Sequence, residues 1–378
     1  MAVGTAVCVS AIYLSQPILN LLAQVLHTSI RGMGFVTTVT QVGYAAGIVF
    51  LVPLGDVAPK KQLILGKLIL LVAALVATGL APGVLTMAAG SLAIGVFATA
   101  AQDFIPLAAE LSPPEQRGRA IGTVMGGLLL GILGSRMFSG AMAEWIGWRA
   151  PFFAAAALTL LVATAVWKRI PSVPQAHAAT YPALLRSMGT LLAEQPLLVL
   201  STVGHGFIGL TFSAFWTVLS FHLGQSPFRL SPAQIGAFAL AGFAGAAVAP
   251  VAGRLADRHG PLFNIRAGIA LVAVSFASML VFPGSLVALA AAAVAFDLGV
   301  QLSMVSHQTI IYALEPRARS RLNAVYVGSL FGFFALGSFL ASWIFSSSGW
   351  TGVVLLCLAS CAAAAIVHGF LSRQWHRR

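Results

Sequence analysis

Charge is what this 378-residue chain has least of: 8% of its residues are Asp, Glu, Lys or Arg, and 9 of them are acidic. A soluble globule of this length needs roughly a quarter of its residues charged, so that class is excluded. With 59% hydrophobic residues and a mean hydropathy of +0.94, the chain belongs in a bilayer. Cysteine is scarce too. Cys8, Cys357 and Cys361 all lie in apolar runs, which reads as small buried hydrophobes and gives neither a disulfide framework nor a metal set. No Gly-x-x-x-x-Gly-Lys-Ser/Thr occurs, so ATP does not drive the protein directly, and nothing asks for a cofactor. No basic segment precedes the first apolar run, so that run is expected to be a span and not a cleavable signal peptide.

What is there is long apolar sequence. A spanning helix takes about 20 mostly apolar residues, and the runs between charged or Pro/Gly breaks predict twelve spans. They cover 2–26, 31–54, 62–81, 84–111, 117–143, 150–170, 194–223, 232–253, 262–282, 285–314, 321–346 and 350–371. The net charge of +12 could suggest a nucleic-acid partner, but its placement argues otherwise. Lys60, Lys61, Lys67, Arg117, Arg119, Lys168, Arg169, Arg186, Arg254, Arg258, Arg266 and most later arginines fall at every second loop, whereas Arg31, Arg149 and Arg229 fall on the opposite side. Basic residues flanking spans stay cytoplasmic. Both termini are therefore expected inside, in a multi-pass protein of the cytoplasmic membrane. The absence of Lys or Arg before the first span means either that later loops set the orientation or that the start lies upstream of Met1.

The chain also repeats itself. Pro114 answers to Pro316, Arg117 to Arg319, Arg119 to Arg321, and Gly147-Trp148 to Gly349-Trp350, each 202 positions on. Two copies of a unit are implied: an all-α membrane protein of twelve helices in two pseudo-symmetric six-helix bundles. The halves are expected at 1–170 and 194–378. A cytoplasmic linker at 171–193 joins them, with a short surface helix near Ala183 to Leu192.

Polar residues inside spans mark candidate sites, because lipid gives them no partners. Tyr13, Gln16 and Asn20 share one face of the first span around Pro17, lining a path or bonding a neighbouring helix. Asp103 in the fourth span lies about 12 Å from its cytoplasmic end, a depth Lys60 or Lys61 could reach by snorkelling. The fifth span carries a glycine ladder, Gly122, Gly126, Gly127, Gly131, Gly134 and Gly140, and one Arg136, facing a central cavity or snorkelling to the outer interface. The tenth span is the most polar: Asp297, Gln301 and Gln308 share a face, with His307 beside them. A carboxylate at mid-membrane suits coupling to a proton gradient, and a permanent hydrogen-bond network is the alternative. His205 alone reads as a satisfied polar residue.

The turn Gly253-Arg-Leu-Ala-Asp257-Arg258-His-Gly260, with a weaker twin at Leu54-Gly55-Asp56-Val57-Ala58-Pro59-Lys60-Lys61, resembles the loop signature of the major facilitator superfamily. The YxxQPIL start, PLAAELSPPEQRGRAIG, and FDLGVQ followed by SRLNAVY resemble its bacterial drug and sugar efflux branch. The resemblance implies an inner gate of Asp56, Lys60, Lys61, Gly253, Asp257, Arg258 and Gly260. It also implies a monomeric, non-enzymatic secondary transporter in the lipid bilayer, expected to couple efflux to protons by alternating access. An aromatic and apolar lining with few fixed charges suggests a small neutral or amphiphilic substrate. The helix-5 antiporter signature is half present, since Ile132 or Arg136 stands where proline is expected. Proton symport or uniport of a metabolite is the alternative, and a membrane sensor a lesser one.

Overall fold

The computed structural model describes residues 1–171, 180–242, 258–315 and 318–377. Every regular element among them is helical. In chain order these are α1 (Ala2–Ser10), α2 (Leu19–Val25), α3 (Ile30–Ala46), α4 (Lys60–Gly79), α5 (Val84–Ala98), α6 (Ala100–Glu110), α7 (Arg117–Trp145) and α8 (Ala150–Arg169). Then follow α9 (Tyr181–Glu194), α10 (Pro196–Gly224), α11 (Pro232–Phe238), α12 (Pro261–Val281), α13 (Leu286–Tyr312) and α14 (Arg319–Trp375).

Among the described residues, ten helical runs are long and apolar enough to cross a membrane. Two places account for the difference from the twelve expected. The runs expected at 321–346 and 350–371 form the single 57-residue stretch α14, broken within by Gly349 at φ 60° and ψ −157°. The run expected at 232–253 is described only through α11, and the rest of it lies outside the described residues. Gly349 has a partner in this. Gly147, its counterpart 202 positions earlier, also takes a positive φ of 128°, a region that favours glycine because a Cβ would clash there. The repeated Gly-Trp pair is thus a repeated turn.

The chain divides into two compact units, Met1–Arg186 with Ser231–Ala237, and Ser187–Leu230 with Phe238–Arg378. In the first, α1 and α2 are joined through 3-10 turns at Ala11–Tyr13 and Gln16–Ile18. Pro17 causes this, since it has no N–H to complete an α-helical bond. Ser29 starts α3 by accepting the Gly32 N–H at 3.2 Å. A Cβ on Gly43 would strike the Leu92 carbonyl, and one on Gly95 the Thr40 carbonyl, so α3 and α5 meet backbone to backbone. Small residues permit this approach where no hydrophobic effect drives helices together. Of the glycine ladder on α7, Gly127 and Gly131 lie against the α1 backbone at Ala2 and Ala6, whereas Gly122, Gly126 and Gly134 face open space. The segment 231–237 is tied to the first unit by the Ala233 N–H, which donates to Glu144 Oε2 at 2.9 Å.

The second unit packs α10 against α14 and α12 against α13. Its core is aromatic. Phe215 meets Phe276, Phe296 and Trp350 at ring-centroid distances of 6.2, 5.4 and 6.0 Å, in edge-on and tilted geometries that suit aromatic quadrupoles.

The close α3–α5 approach yields a direct comparison. Gly95→Ala drives a methyl into the Thr40 carbonyl and is expected to cost ~1–3 kcal/mol through overpacking, lowering the apparent melting temperature in detergent. Gly66→Ala, with nothing within 4 Å of the added methyl, should not lower it. Equal melting of the two variants would show that the approach is not needed.

Candidate functional site

Among the described residues, the candidate side chains fall into three polar groupings. In the first unit, Lys67 Nζ and Asp103 Oδ2 form an ion pair at 2.7 Å, with side chains 3% and 6% exposed. The expected partners of Asp103, Lys60 and Lys61, are not the ones that hold it. Lys60 pairs with Glu110 near the end of α6, and Lys61 stands half-buried. Depth explains the correction. Lys67 is seven residues beyond Lys60, two turns along the same face and about 10 Å further in, and so lies level with Asp103. A basic residue counted with the loop charges is in fact inside the bundle.

Arg136 provides the second grouping. It is 2% exposed, which excludes the snorkelling alternative. Its Nε and Nη2 both donate to Gln16 Oε1, at 3.1 and 2.9 Å, and its guanidinium lies 4.9 Å from the centroid of the Tyr13 ring, within cation–π range. Tyr13 and Gln16 lie in the two 3-10 turns, where residues three apart eclipse, so both can serve one cation. Asn20 belongs to α2 and stays half-buried apart from them. Beside this grouping, the Ser139 hydroxyl donates to the Leu14 carbonyl at 2.5 Å, fixing α7 against the same kink.

The second unit holds the third grouping, spread over two faces of α13. Asp297 is buried and abuts Gly242, where an added Cβ would strike its Oδ2 and come within 3.1 Å of the Trp216 ring. Gln301, one turn on, has a buried Oε1 without a hydrogen-bond partner among the described residues, and Gln308 is half-buried. His307 looks elsewhere. Its Nδ1 lies 2.8 Å from the Ser303 carbonyl, an acceptor only, which places the proton on that nitrogen. The Ser303 hydroxyl is 3.0 Å from His205 Nδ1 and 3.3 Å from His307 Nδ1. It bridges the two rings in a chain His307–Ser303–His205. Tyr326 stacks on the His205 ring with centroids 5.7 Å apart. His205 is thus part of a network, and no local signal in its own helix announces residues about a hundred positions away.

The residues of the implied inner gate are placed in part. Asp56 ends the 3-10 turn Pro53–Asp56 and is exposed. Arg258 is exposed, and Gly260 caps α12 at φ 83°, which supplies a reason for glycine at the end of that motif. Gly253 and Asp257 lie outside the described residues.

Removing one partner of a buried pair leaves an uncompensated charge and costs about 3–5 kcal/mol, whereas replacing both by apolar groups is near neutral. Asp103→Leu and Lys67→Met are each expected to melt well below the wild type, and the double variant to recover most of the loss. Additive losses in that cycle would show that the two residues do not support each other.

The family model for the Major Facilitator Superfamily matches residues 1–226 and again 201–374. The uncharacterized transporter YgaY of Escherichia coli O157:H7 is 35% identical over 378 residues, covering 100% of this chain and 95% of that one. A chloramphenicol resistance protein of Streptomyces lividans is 28% identical over 243 residues, covering 63% and 61%. Among solved structures, a bacterial homologue of the human lysosomal transporter Spinster, in an inward-facing and occupied conformation, superposes with a TM-score of 0.78 at 15% identity, covering 98% and 96%. That likeness concerns the fold alone. With the family model covering nearly the whole length and a full-length relative at 35% identity, this chain belongs to the Major Facilitator Superfamily.

Proposed function

We propose that the protein exports a small neutral or amphiphilic molecule in exchange for protons, by alternating access of two six-helix halves in the cytoplasmic membrane with both termini inside. As a member of its family it is a transporter and not an enzyme. Direction, coupling and cargo are the proposal. Its twelve spans are the ten helical runs with α14 counted as two crossings at Gly349, plus the apolar run that begins with α11. A chloramphenicol resistance protein among the relatives supports export of an apolar drug-like cargo.

The observation that carries the reading is the burial of Asp297 in the middle of α13, with Trp216 and Gly242 against it. A carboxylate inside a span costs a few kcal/mol by insertion scales and is retained where it has work to do. In the proposed cycle Asp297 takes up a proton from outside as cargo leaves and gives it up inside as cargo binds. Phe212, Phe296 and Phe334, stacked with ring centroids 6.2 and 5.4 Å from Phe212, offer an apolar wall suited to such cargo. Gln301, Gln308 and the His307–Ser303–His205 chain extend the polar path, and Asp103 with Lys67 is a second place where protonation changes the buried charge. Arg136, held by Gln16 and Tyr13, is a fixed cation that tunes nearby charge. Asp56, Lys60, Lys61, Gly253, Asp257, Arg258 and Gly260 form the proposed inner gate.

The test is internal pH in proteoliposomes under an imposed pH gradient, with sugars, amino acids, organic acids and cationic or neutral drugs offered in turn. Cargo-dependent exchange of protons against a neutral or amphiphilic compound is expected. Asp297→Asn should abolish gradient-driven transport while cargo binding persists. Protons moving in the same direction as cargo would replace export with symport, and unchanged coupling in Asp297→Asn would remove that residue from the proton path.

A further inference from the structure

A cavity of about 730 Å³ opens between α12 and α14 in the second unit, and its lining includes none of the residues assigned to transport. Its two ends differ. Arg266, His368 and Ser372 stand at one, and Ile269, Ala273 and Leu358 line it toward the other, with alanine, glycine and Cys361 completing a lining that contains no acid among the described residues. Arg266 is five residues into α12 and Ser372 three residues from the end of α14. By helix rise the polar end lies within about two turns of the helix ends, and the apolar trough runs on for roughly 10 to 20 Å toward the bilayer centre. The cavity is therefore amphiphilic along the membrane normal, cationic at headgroup depth and apolar at chain depth.

The cationic end is preorganised. The exposed Arg266 guanidinium donates through Nε to His368 Nε2 at 3.1 Å, its single hydrogen bond among the described residues. The Ser372 hydroxyl lies 3.3 Å from the same nitrogen. His368 is buried, so it holds one edge of the guanidinium from below and leaves the two Nη groups to meet an acceptor from outside. Two parallel N–H donors on a planar cation match the oxygens of a phosphate. Basic pockets between spanning helices on the cytoplasmic side suit anionic headgroups, and the distribution of Lys and Arg between loops assigns the starts of α12 and ends of α14 to that side.

We propose that this groove binds an anionic phospholipid, its phosphate on the Arg266 Nη groups and the Ser372 hydroxyl, and an acyl chain along the alanine-rich trough. His368 is the positioning residue. The site goes beyond the transport reading and does not depend on the direction or cargo of transport.

The experiment uses the full chain, reconstituted in nanodiscs of equal parts phosphatidylglycerol and phosphatidylethanolamine, then released into mild detergent for native mass spectrometry of retained lipid. The wild type is expected to keep phosphatidylglycerol in preference to phosphatidylethanolamine. Arg266→Gln should reduce that preference by about fivefold, the effect of one basic residue at a lipid surface. Ala362→Phe, which fills the exposed trough without touching the cation, should lower retention of the lipid while an unchanged melting temperature reports an intact fold. Equal retention of the two lipids by the wild type overturns the proposal, as does a preference that both variants keep. Inorganic phosphate stabilising the detergent-solubilised protein as strongly as phosphatidylglycerol would make the site one for a free anion and also sink the lipid assignment.

Discussion

Hydrocarbon offers a buried charge nothing to bind, and a charged side chain at the centre of a spanning helix costs ~2.5–3.5 kcal/mol by insertion scales. Much of the internal arrangement of this transporter answers to that constraint. Lys67 and Asp103 neutralise each other at 2.7 Å. Arg136 spreads its charge over the Gln16 amide and the Tyr13 ring. Each solution fixes helix register, because a helix turned by one residue moves a side chain through about 100°. If α4 slipped by one position against α6, Lys67 would leave Asp103 behind and face a different neighbour. The polar groups thus specify geometry that apolar surfaces, as content with lipid as with one another, leave undetermined.

Backbone proximity supplies the other half of that specification. At Gly43 and Gly95, at Gly127 and Gly131, and at Gly268 and Gly299, the glycines lie against the backbone of a neighbouring helix. Dispersion and weak C–H···O contacts act only at that range. Gly134, which shares a face of α7 with Gly127 and Gly131 yet has nothing within 4 Å of an added Cβ, shows that a ladder of small residues allows approach but does not compel it. On α13 close packing and polarity coincide: Gly299 faces the α12 backbone two residues from Asp297, which itself lies against Gly242. A mid-span carboxylate there is held between surfaces that leave little room to move.

Much of the fold was legible in the sequence because its signals are local. Twenty-residue apolar runs, a proline kink and a Gly-Trp pair repeated 202 positions on each act through neighbouring backbone, and each has its structural counterpart. The candidate site was legible as a set of residues and far less as a set of partners. Asp103 stands out as an acid in an apolar run, but Lys67 is hidden in the sequence because it follows Lys60 and Lys61 closely enough to read as one more loop charge. Arg136 stood out likewise. Its partner lies 120 positions away, and only the 3-10 geometry around Pro17 brings Tyr13 and Gln16 onto one line. His205 had no signal of its own. Its meaning comes from Ser303 and His307, which belong to another helix and are brought to it by tertiary packing.

The Lys67–Asp103 pair places a condition on any transport cycle that uses Asp103. In the pair the two charges cancel, so a proton added to Asp103 leaves a lone ammonium buried 3% exposed, which is far more costly than the pair itself. Protonation and displacement of Lys67 must therefore go together: the lysine has to reach water or another acid for the proton to stay. Glu110, seven residues along α6 toward the helix end, already holds Lys60, so α4 and α6 present a ladder of two cations and two anions with the deeper rung dry and the outer one wet. A shift of α4 along α6 by one rung would move Lys67 toward Glu110 and free Asp103 for a proton. Because a ligand can only bias states between which its affinity differs, a proton that binds Asp103 well only after Lys67 has left is by that fact coupled to the movement of α4.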